Sequence, residues 1–481
     1  MRILEEIKPE RVFYYFEEIS KIPRGSYNTG AISDYCVNFA KAKGLRVIKD
    51  KYNNCMIFKE ASKGRQMDTP VIIQGHMDMV CEKTIDSTHD FLKDGIELLV
   101  ENGFVTAKDT TLGADDGIAV AMALAILEDD TISHPDLEVI FTVDEEVGMD
   151  GAKNIDLSQT KGKYVLNLDC DMEAMAFAGC AGGVRGDFVF NVTKEKVKGA
   201  AFQIEIKGLV GGHSGSEIDK ERANSNILLG RLLQTLDENI AFDIVSLEGG
   251  TKDNVITNYS KAVITNVTQV DRLEQLIKES NQIFLNEYAV SDNNIKIDIT
   301  RLEAKQYEII NKEAKQDILF FMNTVPNGAI NYSQDIRDIV ETSLNMGVLK
   351  TNENNISIGI SVRSLVKSRK EYIMNKLKLI AKKSNAVVSV YGDYPQWDYN
   401  RNSTLQKTVA KSYKDLFGED LKITVIHAGL ECGYLLEKRP DLDILSFGPQ
   451  MYDIHTVNER LSIESTEKVY KLVLKILEEV R

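Results

Sequence analysis

Five acidic residues and two histidines of this chain stand where apolar, strand-like runs give out. His76 and Asp78 follow Pro70–Gln74, Glu145 and Glu146 follow Val139–Val143, and Asp169 follows Tyr164–Leu168. Asp115 opens a helical stretch, and His455 lies near the carboxyl terminus. Imidazole nitrogens mixed with hard carboxylate oxygens suit two divalent cations, and a carboxylate left over beside them suits a general base. The pattern predicts a hydrolase. Each member alone has a plainer reading: His-Met-Asp is common, paired glutamates form exposed turns, and aspartate often ends strands. The conjunction carries the prediction, because open α/β sheets gather ligands outside the carboxyl ends of their strands. His76 and Asp78 are two apart, so an extended segment presents both on one face, where the carboxylate can orient the ring. Glu145 and Glu146 would point in different directions from an extended chain, one to a cation and one to substrate.

These residues need elements to hold them. Up to about residue 183 strand-like runs alternate with helices, the α/β signature. Pro9–Lys21 reads as an amphipathic helix. Ala114–Glu128, rich in Ala, Met, Leu and Ile, reads as a helix packed on a sheet, with Asp115 and Asp116 where the helix dipole favours negative charge. Gly179–Gly183 marks a boundary. Beyond it a strand is expected over Ala201–Lys207, a helix over Asp219–Leu236, and strands over Ala241–Leu247 and Asn254–Thr265. Helix and strand then alternate through Arg272–Tyr288, Asn294–Thr300, Lys312–Asn323, Asn355–Arg363, Arg369–Lys383 and Ala386–Tyr391. After Pro395-Gln396-Trp397 come buried strands at Leu421–Ile426 and Ile444–Phe447 and a terminal helix over Ser462–Arg481. The expected class is α/β: a catalytic domain with a mixed, mostly parallel sheet flanked by helices, built from residues 1–183 and 396–481. An inserted α+β lid domain, 184–395, interrupts it and divides into two similar α+β subunits. His455 reaches the N-terminal acids only if the chain returns to the first domain.

Composition narrows the function. A chain of 481 residues, 43% hydrophobic and 27% charged, should fold into two or three domains. Its net charge of −15 argues against nucleic acid, whose phosphates need a concentrated basic face. Arg2, Glu5, Glu6 and Lys8 are unlike a signal peptide, and no segment approaches the roughly 18 apolar residues of a membrane span. Six cysteines without a Cys-x-x-Cys pair read as reduced thiols of a cytoplasmic protein.

The motifs resemble those of the M20 metallopeptidases. Gln74-Gly75-His76-Met77-Asp78-Met79-Val80 is similar to their first motif, and Thr111-Leu112-Gly113-Ala114-Asp115-Asp116-Gly117 to their second. Asp144-Glu145-Glu146-Val147-Gly148 resembles the third, Asn167-Leu168-Asp169 the fourth, and Ser446-Phe447-Gly448-Pro449 with His455, Glu459 and Arg460 the last. Met79-Val80 and His427-Ala428-Gly429-Leu430-Glu431-Cys432-Gly433 look most like the aminoacyl-histidine dipeptidase branch. The resemblance implies one cation on His76 and Asp169, another on Glu146 and His455, and Asp115 bridging them. Zinc is the expected metal, with cobalt or manganese as alternatives. Asp78 would steady His76, and Glu145 would be the base. Aspartate at 169, where acylases and carboxypeptidases usually carry glutamate, favours action on short peptides with a free amine.

In the insertion, Gly211-Gly212-His213-Ser214-Gly215 places His213 in a very mobile loop, where the family stabilises an oxyanion. Asn254 and Arg363 resemble residues that hold the substrate carboxylate, a task suited to the planar guanidinium. His427 and Glu431 are candidates to line the pocket without an assigned role. Two departures from the family stand out: Thr456-Val457 replaces the usual Ser-Pro after the last histidine, and Asp116 replaces an asparagine. The expected activity is hydrolysis of unblocked dipeptides, Xaa-His or broader, by a monomer with a self-paired lid or a homodimer. The alternatives are an amidohydrolase for N-acyl amino acids and a non-catalytic metal-binding scaffold.

Overall fold

The computed structural model describes residues 2–481. The chain forms two compact units. The first runs to Gly179 and resumes over Tyr399–Val425 and Leu430–Arg481; the second comprises Cys180–Asp398 and the short return Ile426–Gly429. The sequence boundaries at 183/184 and 395/396 lie within four residues of these changeovers, but His427 groups with the second unit and Glu431 with the first.

An eight-stranded mixed sheet centres the first unit. Its order is Arg46–Lys49, Cys55–Lys59, Leu137–Thr142, Val71–His76, Tyr164–Asn167, Asp443–Phe447, Met175–Cys180 and Lys422–Ile426. The four middle strands Leu137–Thr142, Val71–His76, Tyr164–Asn167 and Asp443–Phe447 run parallel. All four are buried along their whole length but for Tyr164, which explains their unbroken apolar runs. The helix Ala114–Glu128 is likewise buried on every side through Leu127. Its regular winding begins after Asp115 and Asp116, whose backbone is not helical. A small second sheet joins Met451–Tyr452, Arg460–Ser462, Phe104–Ala107 and Leu98–Glu101, so both ends of the His455 loop are anchored.

In the second unit two four-stranded runs share one sheet. Lys296–Ile310, Lys194–Lys207, Ser260–Thr265 and Asp243–Gly249 form the first; Val340–Thr351, Asn355–Ser364, Gly182–Asn191 and Val387–Tyr394 form the second. They meet through two residue pairs, Glu248 with Lys350 and Gly249 with Leu349. Leu228, Leu229, Leu232, Leu233 and Leu236 of the helix Ser225–Asn239 pack into its core with Phe188, Phe321 and Ile264.

Several elements differ from expectation. The helix expected from Asp219 starts at Ser225, because the Asn224 side chain accepts the amides of Asn226 and Ile227 and caps it there. Asn254–Thr265 splits into Val255–Ile256 and Ser260–Thr265. The strand begun at Asn294 extends over Lys296–Ile310, held by pairing with Lys194–Lys207 despite its polar surface.

Candidate functional site

The parallel strands deliver the sequence-predicted residues to one end of the sheet. His76 ends one strand, Asp144–Glu146 follow the next, Asp169 follows the third, and the fourth leads through Gly448-Pro449 to His455. Asp115 joins them from the start of its helix. Its Oδ1 lies 3.2 Å from His76 Nε2 and its Oδ2 lies 3.1 Å from His455 Nε2. Glu146 Oε1 is 3.0 Å from His455 Nε2, and Asp169 Oδ1 is 4.0 Å from His76 Nε2. Ligand atoms of His76, Asp116 and Asp169, of His76, Glu145 and Glu146, and of Asp115, Glu146 and His455 each lie within 4.8 Å of one another.

Asp78 organises this cluster from behind. It is fully buried, and its Oδ1 is 3.4 Å from His76 Nδ1. It also accepts the Ser26 hydroxyl at 2.8 Å and the amides of Glu145 and Glu146 at 3.2 and 3.4 Å. Those two glutamates therefore sit in a turn, not in the extended geometry expected. Asp144 has φ 56° and accepts the Met149 amide through its carbonyl, yet both glutamate side chains still reach the surroundings of His76.

The concentration of acids sets the charge states. Burial opposes protonation of His76, but its contacts with Asp115 and Asp78 raise it well above an ordinary imidazole. His455 is raised to about 11 by Asp115 and Glu146. Burial raises the Glu145 carboxyl well above its usual range, with Asp169, Glu431 and Glu146 adding repulsion. Asp169 is raised to about 8, by burial first and by neighbouring acids next. Like charges packed this closely are what a bound cation would relieve. The donor set fits that role: two imidazoles and several carboxylates, with Asp116 Oδ1 buried and unpartnered. Glu146 Oε1 is also buried and lacks a well-directed hydrogen bond despite its nearness to His455.

Asp116 does not cap the helix. Its Oδ2 accepts the His76 amide at 3.2 Å, so it braces the strand end against the helix start. The Thr456 departure also has a local explanation. Its hydroxyl donates to Asp453 O and accepts the Asn458 amide, so threonine supplies the turn that Ser-Pro would otherwise shape.

Within the second unit His213 pairs with Val255 in a short two-strand ladder, and the Ser214 amide donates to Asn254 O at 2.9 Å. The loop is pinned, contrary to the expected mobility. Asp292 accepts the amides of Val210 and Ala223 at its two ends, and Glu217 accepts that of His213. His213 Nδ1 lies 3.3 and 3.1 Å from the amides of Gly215 and Ser216, so the neutral ring carries its proton on Nε2. Burial and then Arg363 lower its basicity, favouring that neutral form. Arg363 is buried with Nη1 2.8 Å from the Tyr394 hydroxyl, and no acid pairs with it among the described residues. A Cβ on Gly215 would stand 2.9 Å from His213 Cε1, 3.2 Å from Arg363 Cζ and 2.7 Å from His427 O, so these three converge on the glycine. His427 Nε2 lies 2.8 Å from Ser343 Oγ.

Arg24, Gln74 and Thr142 carry no chemical signal in the sequence, yet they frame the first unit's site. Arg24 Nη1 donates to the carbonyls of Met77 and Asp78 at 3.0 and 3.2 Å, and its Nη2 donates to Gly113 O. Glu431 accepts from Gln74 Nε2 at 2.7 Å and Thr142 Oγ1 at 2.5 Å, and burial raises it to about 7.

Comparison with known proteins agrees with this geometry. Residues 72–479 match the model of peptidase family M20/M25/M40. The cytosol non-specific dipeptidase of Escherichia coli K12 is 35% identical over 485 residues, covering 100% of this chain and 99% of that protein. The crystal structure of aminoacylhistidine dipeptidase from Vibrio alginolyticus matches with a TM-score of 0.93 at 32% identity, covering 99% of this chain and 98% of that one. Aminopeptidase PepT from Bacillus cereus, at 17% identity and a TM-score of 0.58 over 98% of this chain and 99% of its own, shares the fold. With its ligand-type residues at the ends of four parallel strands and a family match over most of its length, the chain belongs to peptidase family M20/M25/M40.

Proposed function

We propose that this enzyme is a metallo-dipeptidase hydrolysing unblocked dipeptides. The observation that carries the reading is Asp115, whose two carboxylate oxygens face different histidines, as a bridge between two cations requires. His76 and Asp169 would hold one cation, Glu146 and His455 the other. When bound, such a pair supplies a water of lowered pKa and polarises the scissile carbonyl. Zinc, with cobalt or manganese as alternatives, matches the mixed nitrogen and oxygen donors. Glu145, held by Asp78 through its amide, takes the proton of the attacking water on its carboxylate and returns it to the leaving amine. His213 donates Nε2–H to the developing oxyanion, its Nδ1 already engaged by two amides. Arg363, a buried cation without an acid, pairs with the substrate carboxylate, and Asn254 assists it.

The names of the Escherichia and Vibrio relatives support dipeptides, including aminoacyl-histidine, as substrates, and the former supports a cytoplasmic location. No helix among the described residues is long and apolar enough to cross a membrane. The insertion would act as a lid, in a monomer or a homodimer. Glu145→Gln tests the mechanism: metal content should stay at the wild-type level while kcat falls roughly 10²–10⁴-fold. Full turnover would remove Glu145 as the base. Parallel assays on free and N-acetylated dipeptides separate dipeptidase from acylase action; preference for the acetylated form would reverse the substrate assignment.

A further inference from the structure

Glu459 is almost completely buried, four residues beyond His455 and immediately before the strand Arg460–Ser462. Its carboxylate accepts four consecutive backbone amides from a segment more than 340 positions away. Oε2 lies 2.8 Å from Leu112 N and 3.0 Å from Gly113 N. Oε1 lies 2.8 Å from Ala114 N and 3.3 Å from Asp115 N. These four amides precede the regular winding of the helix, so no helical carbonyl serves them, and a buried carboxylate satisfies them with charge-assisted bonds. No side chain of the helix's own N-terminal flank does this work. Beneath the same segment, Arg24 holds Gly113 O together with the carbonyls of Met77 and Asp78.

The segment that Glu459 grips ends in Asp115, and the loop that carries Glu459 also carries His455. The contact therefore registers the two residues whose side chains meet at 3.1 Å. We infer that Glu459 is a positioning residue that sets Asp115 against His455 and so governs occupancy of the Asp115–Glu146–His455 cation site. The inference rests on the two-cation reading above. A glutamine at 459 keeps the size but removes the charge and turns an amino group toward amides that need an acceptor. Asp115 and His455 would lose their common anchor, which disturbs both of those residues at the site with Glu146, whereas the other site shares only Asp115 and keeps His76 and Asp169 on strand ends that Glu459 does not touch.

The test is zinc titration of the metal-free full chain by calorimetry, with the visible spectrum of the cobalt-loaded form as a second readout, for wild type and Glu459→Gln. The wild type should take up two cations. The variant should bind one cation roughly 10–100-fold more weakly, the usual cost of losing an outer-shell support, and the other, which shares only Asp115, with a distinctly smaller loss. Its cobalt spectrum should change, and excess metal should restore much of its turnover. Wild-type affinities at both sites, even with lowered thermal stability, would overturn the inference, as would equal weakening of both. If Glu459→Gln does not fold, Glu459→Asp, too short to span all four amides, is titrated with the same expected and contrary results. A wild-type chain that binds no cation pair would instead sink the functional reading.

Discussion

Asp115 and His455 show how single residues here combine charge and position. Asp115 and Glu146 hold His455 at about 11, so its ring is protonated at neutral pH. On the two-cation reading proposed above, a cation would take that ring nitrogen only by displacing the proton. Metal affinity should therefore rise with pH, and binding at pH 7 should release protons. Calorimetric zinc titration in two buffers of different ionisation enthalpy measures this; heats independent of the buffer would contradict it. At this scale the sequence was informative about candidate ligands, the base and one support, Asp78, and silent about the supports that act on backbone. His76, Asp78, Asp115, Glu145, Glu146, Asp169 and His455 were legible because each follows a recognisable run or motif. Arg24 and the grip of Glu459 were not, because both act on backbone groups of remote segments, and nothing in a residue's type announces such a partner.

At the scale of elements, the site depends on how closely a strand and a helix approach. Gly75 in the strand Val71–His76 faces the start of Ala114–Glu128, and a Cβ there would lie 2.5 Å from Asp116 Oδ2 and 2.7 Å from Ala119 Cβ. Neither neighbour can yield cheaply. Asp116 is buried and bonded to the His76 amide, and Ala119 is fixed in a helix buried on all sides. Gly75→Ala should thus destabilise the fold by about 1–3 kcal/mol through overpacking. Because the same displacement moves Asp116 and the adjoining Asp115, it should weaken metal binding as well. Denaturant unfolding and metal titration of the variant read the two effects; unchanged values in both would show that helix and strand can separate freely. Apolar periodicity made the buried strands and the long helices readable. It missed Gly182–Asn191 and Val340–Thr351, and it placed one helix start six residues early, where a side-chain cap decides the boundary.

On the scale of the whole molecule, the first unit closes only after the chain has built the second, since His455 and Glu459 come after the return at Tyr399. That return was readable from chemistry, because His455 had to meet acids some hundreds of residues earlier. The second unit's interior was less readable, and His427 illustrates why: its burial depends on a four-residue excursion back into that unit. There it is almost wholly enclosed, bonded to Ser343, and held down to about 3 by burial and by the Arg363 charge. Unfolding would free it to titrate near its ordinary value of 6.5. Between those two values the unfolded chain binds the extra proton and the native chain does not, so stability must rise with pH. The contribution is complete above about 6.5 and is lost as pH falls toward about 3, at a slope of up to roughly 1.4 kcal/mol per pH unit. The sole tryptophan, Trp397, is buried in the same unit and reports its unfolding by fluorescence. Urea midpoints followed through Trp397 should fall more steeply between pH 7 and pH 5 in the wild type than in His427→Gln, which keeps a hydrogen-bonding group near Ser343 without a titrating ring. Parallel pH profiles for the two proteins would mean that His427 takes up its proton in the native unit and is not held neutral by its surroundings.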